Sequence, residues 1–376
     1  MKAKITDKKI PLFEIFTDTK DLIAVNNVLK SKRNWATGEK VDEFEKKICQ
    51  YTRSQFALTF NSGTNAIYAS LLAAGIGPGD EVIVPAFTYV ATVEPVSLVG
   101  AKPVFVDIEQ STFGLDPKDV RKKISKKTKA IIAVHYAGIP CKISVLLKIA
   151  QENNLILIED AAEAFGSTVG NRKVGTFGDF AIFSFSQGKI ITTGEGGAVL
   201  TKSKVFFDSL KLIRSLGRKE ISDTTHENLP CDFIQPGYNF RLSNILAALG
   251  VSQLSKIKSI LEKRHKLAKY YQQKLINIKE ISAHNSDGSG ASGYHIYPVL
   301  ADDRDGLSEY LGKCGIDSKV YFQPVYNHYL YRKYRDRLPT TEKISAKVLC
   351  LPFFAAMKKK DVDYVVSAIK KYYSQK

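Results

Sequence analysis

Cysteine is scarce and unpaired in this 376-residue chain: its five (Cys49, Cys141, Cys231, Cys314 and Cys350) stand singly, odd in number and with no CxxC. That pattern argues against a disulfide framework and against a zinc site, and it suits a reducing compartment. Long apolar runs are missing too, so nothing reads as a membrane-spanning helix. The N-terminal "MKAKITDKKIPLFEIF" lacks the apolar stretch of a secretory signal. The expectation is a cytoplasmic protein with no membrane partner and no metal. Acidic residues are also short, 38 Asp and Glu against 55 Lys and Arg, for a formal net charge of +17. Such a surplus raises nucleic-acid binding. The basic runs, "RKKISKKTK" at 121–129 and "MKKKD" at 357–361, carry no interleaved aromatics on which bases could stack. They read as solvated faces that help attract anionic small molecules, and no nucleic-acid partner is expected. Neither an internal repeat nor a low-complexity segment is present.

What is present is an α/β alternation. "FALTF" (56–60), "DEVIVP", "KPVFVDI", "KAIIAVHY" and "LILIED" read as strands. "SGTNAIYASLLAAGI", "TYVATVEPVSLVG", "LDPKDVRKKIS" and "ISVLLKIAQENN" read as the helices between them. Asp116 can cap the third of these helices, with Pro117 in its first position. Short continuous runs of β-branched residues and Leu suit a parallel sheet covered on both faces. "FAIFSF" and "GGAVLT" then follow each other closely and break the alternation. From Asn244 one long helical stretch, "NILAALGVSQLSKIKSILEKRHKLAKYYQQKL", leads to α+β structure around "SGYHIYPVL" and "LGKCGIDSKVYFQPVY". A division into a large unit, 1–250, and a small one, 251–376, follows.

Three constellations on this scaffold carry chemistry. In "FNSGTNA" a strand ends at Phe60, and Gly63 with Thr64 opens a helix whose N–H groups can close on an anion; Ser-Gly-Thr is equally a good helix start. In "LILIEDAAEAFGS", Asp160 sits at the carboxyl end of a buried strand, where ligands of open α/β sheets collect. It serves there as an N-cap or as a ligand, and a buried carboxylate needs a cation to meet it. In "FSFSQGKIITTGEGGAVLT" (183–201), Lys189 lies between two apolar strands and against a glycine-rich turn; the ordinary alternative is a solvated loop lysine. Together, a phosphate cradle, an Asp at a strand end and a lysine between strands are the parts needed to hold pyridoxal phosphate.

At this point the sequence resembles the DegT/DnrJ/StrS aminotransferases, which act on nucleotide-linked keto-sugars. The resemblance runs through "NWATGEKVDEFEKKI" (34–48), "NSGTNA" (61–66), "GPGDEVIVPAFTYVAT" (77–92), "VHYAGIPC" (134–141), "IEDAAEAFGS" (158–167), "KVGTFGDFAIFSF" (173–185), "TTGEGG" (192–197), "GYNFRLSN" (237–244) and "LCLPFF" (349–354), in the family's order. It implies a fold-type I pyridoxal-phosphate aminotransferase: a large α/β domain with a mostly parallel sheet and a smaller α+β C-terminal domain. "EDAAEAFGS", "VGTFGDFAIFSF" and "ITTGEGG" are most similar to the GDP-perosamine synthases, which aminate a 4-keto-6-deoxymannose for surface glycans such as lipopolysaccharide O-antigen.

The resemblance carries roles with it. Lys189 resembles the Schiff-base lysine, Asp160 the partner of the pyridine nitrogen, and Tyr89 the aromatic stacked on the ring. Thr64 with the Gly63 backbone, and Ser184, resemble phosphate ligands. Asn239 resembles the asparagine that reaches the phosphate from a neighbouring subunit, which implies a homodimer with shared sites. Read without the family, Tyr89 is a core residue, Ser184 a strand serine and Asn239 a turn residue. Glu163 occupies a position where many members have Gln or His beside the cofactor's phenolic oxygen and where the perosamine-like members share Glu, and His328 in "PVYNHYLYRKY" resembles a histidine near the sugar pocket. Lys142 in "PCKI" and the missing His-Gly in "IRSLGRKE" (213–220) depart from the pattern at positions tied to no catalytic role. The implied activity is ping-pong transamination from glutamate to a nucleotide-linked keto-sugar. Two alternatives stay in view: a dehydratase on the same scaffold, which carries His in place of the lysine, and a non-catalytic regulator that binds DNA.

Overall fold

The computed structural model describes residues 9–220, 231–283 and 290–376, so the first eight residues of "MKAKITDKKIPLFEIF" lie outside the described ones. Two helices, α1 (Thr19–Lys30) and α2 (Glu39–Thr52), precede the alternating region. There follow β1 (Phe56–Phe60), α3 (Gly63–Ala73), β2 (Glu81–Pro85), α4 (Glu94–Leu98), β3 (Lys102–Val106), α5 (Pro117–Lys123) and β4 (Thr128–Val134). Then come α6 (Ile143–Glu152), β5 (Ile156–Asp160), β6 (Phe180–Ser184), β7 (Gly197–Thr201) and α7 (Lys204–Arg214). The strands form one seven-stranded sheet in the order β1–β7–β6–β5–β4–β2–β3. Pairings from β6 to β3 are parallel, whereas β7 runs antiparallel to both β1 and β6, which is the break in alternation read from "FAIFSF" and "GGAVLT".

Both faces of the sheet are buried, and successive side chains divide between them. Ile132 and Ile158 join Ile67 and Leu71 of α3 and Leu210 of α7, while Ile131 and Leu157 join Leu146 and Ile149 of α6. The helix starts agree with the sequence. Ser62 Oγ accepts the Asn65 N–H at 3.1 Å to cap α3, and Asp116 accepts the Lys118 N–H at 2.9 Å with Pro117 at the first helical position of α5. The basic run at 121–129 sits in polar surroundings, where Arg121 pairs with Glu152 at 2.7 Å and Lys123 with Asp336 at 2.9 Å.

Two helical expectations are revised. "TYVATVEPVSLVG" is a 3-10 turn, Val90–Thr92, followed by the short α4, with Tyr89 extended. Pro95 explains this: it has no N–H to donate and its ring would clash with the carbonyl four residues back, so the helix begins around it. The stretch from Asn244 divides into α8 (Asn244–Ser255) and α9 (Ile257–Leu275) at Lys256. The Lys256 ammonium turns inward to Asp21 of α1 at 2.5 Å and Asp18 at 3.1 Å. Asp21, itself buried, also accepts from Ser252 Oγ at 2.6 Å and Gln253 Nε2 at 2.8 Å. The docking of α1 therefore fixes the break.

Beyond α9 an antiparallel sheet, β8 (Ile281–Ala283), β9 (Tyr297–Ala301) and β10 (Val348–Leu351), has β9 in the centre. It shares a second core with α9, α10 (Arg304–Lys313) and α12 (Lys359–Ser374), including Leu267, Tyr271, Val299, Leu311 and Val365. Helix α11 (Pro339–Lys347) leads into β10. Ile10 belongs to this C-terminal core, since its N–H donates to Gly315 O at 2.8 Å and its carbonyl accepts from Asp317 at 3.0 Å. The 250/251 division falls inside α8. Among the described residues no helix is long and apolar enough to cross a membrane.

The Asp21 cluster yields a stability prediction. Asp21→Ala leaves the buried Lys256 ammonium only the more exposed Asp18 and should cost up to about 3–5 kcal/mol, the usual effect of removing one partner of a buried pair. Asp21→Ala combined with Lys256→Met should recover most of that loss in urea unfolding. Equal losses in single and double variants would show that the pair does not hold α1 to α8.

Candidate active site

The carboxyl ends of β5 and β6 meet three other segments at one edge of the sheet. Asp160 closes β5 and is 6% exposed. Thr92 Oγ1 donates to its Oδ2 at 2.7 Å, and the Ala162 N–H donates to its Oδ1 at 3.2 Å. Thr92 is presented by the 3-10 turn that Pro95 forces, and its hydroxyl lies 2.8 Å from that of Thr88. Neutral donors thus hold Asp160, and among the described residues no Lys or Arg pairs with it. A buried carboxylate in that condition is an acceptor for a cation brought by a ligand.

Lys189 lies in the loop joining β6 to β7, and the "TTGEGG" residues pin that loop. The Thr193 N–H and Thr192 Oγ1 both donate to Phe185 O, at 2.9 and 3.0 Å, and Ile190 and Ile191 are buried beneath it. The Lys189 ammonium lies 3.8 Å from Glu163 Oε1, with side chains 17% and 12% exposed. Glu163 Oε2 accepts the Ala137 N–H at 2.8 Å. His295 Nε2 also lies 3.8 Å from Glu163 Oε1, and His295 Nδ1 is buried with no hydrogen-bond partner among the described residues. Burial holds the Glu163 carboxyl above the ordinary range, against the opposing pull of the Lys189 ammonium. Burial, with Lys189 and Arg264 adding, holds the His295 imidazole well below its ordinary range.

Close backbone approach forms the third part. A Cβ on Gly197 would come within 2.6 Å of Gly63 N, and one on Gly63 within 3.2 Å of Ser184 Cβ, so glycines bring the start of α3 against the ends of β6 and β7. Ser62 occupies the Asn65 and Ala66 N–H groups, through Oγ and O respectively, both at 3.1 Å. The Gly63 and Thr64 N–H groups, ahead of them, belong to the first turn of α3, whose N–H groups have no intrahelical partner.

Of the residues expected at the site, Asp160, Glu163 and Lys189 converge, and Gly63 and Ser184 adjoin each other. Tyr89, 60% exposed, lies one turn from Thr92 with its ring 5.7 Å from that of Phe322. Asn239 is exposed, and its carbonyl accepts from Asn61 Nδ2 at 3.4 Å, next to the start of α3. His328 is exposed between two 3-10 turns; the first of these is tied to the residue after β2 by Val325 N–H donating to Ala86 O at 2.8 Å. Thr92 and His295 were not anticipated. The i, i+4 pairing of Thr88 with Thr92 was a usable local signal, whereas nothing local marks His295. Arg264 of α9 carries it in, donating to Tyr294 O at 2.9 Å and His295 O at 3.2 Å.

This donor set fits pyridoxal phosphate. It offers a buried carboxylate with no cationic partner among the described residues for a pyridinium, an amine in a pinned loop for the aldehyde carbon, and the first N–H groups of α3 for a phosphate. Known proteins agree. A model described as the DegT/DnrJ/EryC1/StrS aminotransferase family matches residues 17–370. The chain is 34% identical to the GDP-perosamine synthase of Escherichia coli O157:H7 over 98% of its own length and 100% of that protein's. Among solved structures it resembles Helicobacter pylori PseC, an aminotransferase involved in the biosynthesis of pseudoaminic acid (TM-score 0.92, 29% identity, 98% of this chain and 100% of that one). It also resembles Spr1654 of Streptococcus pneumoniae, described as a sugar aminotransferase and solved in a PLP-form (TM-score 0.91, 27% identity, 98% and 99%).

The depressed imidazole has a measurable consequence in the cofactor-free protein. Below pH 6.5 the unfolded chain binds a proton at His295 that the folded chain refuses, so folding stability falls with pH by up to about 1.4 kcal/mol per unit. His295→Gln should therefore lose less melting temperature than wild type between pH 7 and pH 5. Parallel losses would show that His295 titrates normally in the folded chain.

Proposed function

The chain belongs to the DegT/DnrJ/EryC1/StrS aminotransferase family and is a pyridoxal-phosphate-dependent nucleotide-sugar aminotransferase, and from that premise we propose that it moves the amino group of glutamate to the keto carbon of GDP-4-keto-6-deoxymannose. The product is GDP-perosamine, made in the cytoplasm for a surface glycan such as O-antigen. The observation that carries the substrate is the near-complete overlap with GDP-perosamine synthase, 98% of this chain and 100% of that relative. The departures at Lys142 and 213–220 remain, and neither touches Asp160 or Lys189.

Pyridoxal phosphate supplies an electron sink and a carrier for the amino group. The rest falls to side chains. Lys189 Nζ would hold the cofactor and would serve as the base that moves the proton at the donor Cα. Asp160, anchored by Thr92, would face the ring nitrogen and favour its protonated form. Glu163, whose carboxyl burial holds above its ordinary range, would meet the phenolic oxygen either protonated or sharing a proton with it. Tyr89 would cover the ring, and the Gly63 backbone, Thr64 and Ser184 would receive the phosphate. Asn239 would reach the phosphate of a second copy, so that each site of a homodimer would draw on two chains. His328 would face the sugar. The lysine at 189 speaks against the dehydratase reading, and a carboxylate and an amine converging at one sheet edge speak against a non-catalytic DNA binder.

A panel of GDP-, UDP- and dTDP-linked keto-sugars, read by glutamate-dependent amine formation, tests the substrate; preference for another nucleotide would replace GDP-perosamine as product. Borohydride reduction of the loaded enzyme followed by peptide mapping should label Lys189, and Lys189→Ala should abolish turnover. Asp160→Asn should keep the fold and lose roughly 100-fold or more in kcat, the scale of removing one electrostatic stabiliser. Wild-type turnover in that variant would remove Asp160 from the chemistry. For the shared site, Lys189→Ala and Asn239→Arg chains, each inactive alone, should on subunit exchange regain at most about a quarter of wild-type activity, from random pairing in a two-fold dimer. Lys189→Ala mixed with Asp160→Asn should not complement. Silence from the first mixture, with exchange confirmed by mass spectrometry, would place Asn239 outside the partner's site.

A further inference from the structure

A cavity of about 710 Å3 opens at the end of the seven-stranded sheet remote from Lys189. Gly178 and Thr201 line it, and Thr201 pairs with Phe180 at the start of β6, whereas Ser184 at the other end of β6 pairs with Gly197. At about 3.3 Å per residue, the strand sets the two ends roughly 13 Å apart. The cavity is lined by Arg53, Arg172, Lys173 and Lys202, and among its described lining residues none is Asp or Glu.

These four cations have no carboxylate partner among the described residues. Arg172 Nε donates to Thr176 Oγ1 at 3.0 Å, and its guanidinium lies 4.1 Å from the centre of the Phe177 ring. Lys173 Nζ donates to Tyr51 Oη and Gly166 O, both at 3.3 Å, and Lys202 Nζ reaches Phe177 O at 3.5 Å. Every one of these partners is neutral. Arg53 is exposed in left-handed backbone, φ 61°, at the end of α2. Burial holds both lysine ammonium groups below their ordinary range, with Arg53 adding to the effect on Lys173 and Arg172 to that on Lys202, where the more distant Glu159 and Asp179 carboxylates pull the other way without pairing. Arg53, Arg172 and Lys202 are exposed and Lys173 is half-buried, and the four like charges together place a positive potential at the mouth of the cavity. Its volume lies within the roughly 300–1,000 Å3 of small-molecule sites and exceeds what a single small ion fills.

We infer that this cavity binds the diphosphate group of a small molecule, free or within a nucleotide, as a second site separate from the catalytic one. The basic residues supply charge-assisted hydrogen bonds to its oxygens, Arg172 from a guanidinium already oriented by Thr176 and Phe177. This inference stands apart from the choice of sugar substrate, since none of the four cations lies at the catalytic edge.

The test is isothermal titration of the cofactor-loaded enzyme with inorganic pyrophosphate and, separately, with GDP. Arg53→Gln with Lys202→Gln removes two charges while sparing the hydrogen bonds of Arg172 and Lys173. It should weaken pyrophosphate binding by about tenfold or more, in a salt-sensitive manner, and leave kcat and KM for the sugar nucleotide unchanged. Arg53→Gln alone, at an exposed side chain, is the second variant should the double one lose its fold, and a smaller loss in the same direction is expected. GDP binding in two steps, with only one lost in the variant, supports a nucleotide as the source of the diphosphate. Pyrophosphate binding lost alone supports the free anion. Equal pyrophosphate affinity in wild type and variants, or no saturable binding to wild type, overturns the inference.

Discussion

Two carboxylates in succession, Glu159 and Asp160, end a strand buried on both faces, and the chain must satisfy both of them. Because neighbouring strand residues point to opposite faces, the two receive different treatment. Glu159, fully buried, accepts from Gly175, Phe177 and Gly178 N–H at 2.9, 2.6 and 2.8 Å and lies 3.1 Å from His135 Nε2. Burial works to raise its pKa, but His135 and those N–H groups outweigh it and hold the carboxyl below its usual range. His135 Nδ1 accepts the Cys141 N–H at 3.1 Å, which leaves the ring proton on Nε2, facing Glu159. The bonds to Glu159 clamp the 175–178 turn that feeds β6, and with it the strand from which the Lys189 loop hangs. Asp160, on the other face, has only neutral donors and keeps its charge available.

Much of this was legible in the sequence, for a physical reason. An acid at a strand end, a lysine between two apolar strands and a glycine-rich helix start are each costly or unusual locally, so they stand out from a solvated background. The parallel sheet was legible for the same kind of reason, since strands buried on both faces must be continuously apolar. What escaped notice was decided at a distance. Lys256 breaks the helix begun at Asn244 because Asp18 and Asp21 of α1, far off in sequence, draw its ammonium inward. His295 looks like an ordinary strand-edge residue until Arg264 brings it to Glu163. Ile10 shows the same limit, because nothing in "KKIPLF" announces pairing with residues 315–317.

The C-terminal core therefore supplies part of the catalytic edge. Arg264 is buried, and it grips the Tyr294 and His295 carbonyls from α9 while its guanidinium lies 5.4 Å from the centre of the Phe353 ring. Tyr294 packs near Phe353 in turn, at 6.3 Å between centroids. On the other side Gly138, at φ 86°, lets the backbone of residues 137–138 pass between Glu163 and Tyr294; a Cβ there would lie 2.9 Å from Glu163 O and 3.0 Å from Tyr294 N. A shift of the small core would thus reach Glu163 through His295 and Ala137 before it reached Asp160, which is held from the large sheet.

That asymmetry bears on the protons at the site. Around Glu163 Oε1 sit one amine and one imidazole, each 3.8 Å away. Desolvation acts on Glu163 and His295 in opposite senses, raising the acid and lowering the base, and both changes favour the uncharged form. Lys189 reinforces this at His295, because a second cation so near an ammonium would be repelled. Burial thus works against charge on both Glu163 and His295 beside the Lys189 ammonium. Asp160, at the strand end, is a carboxylate held by the neutral Thr92 hydroxyl and Ala162 N–H, and no Lys or Arg among the described residues pairs with it. A cationic ring brought to this edge would meet that carboxylate, with Glu163 shifted by burial toward its uncharged form. The group that would stabilise such a charge is held by the protein beforehand, which is the condition under which charge stabilisation costs no reorganisation during the reaction.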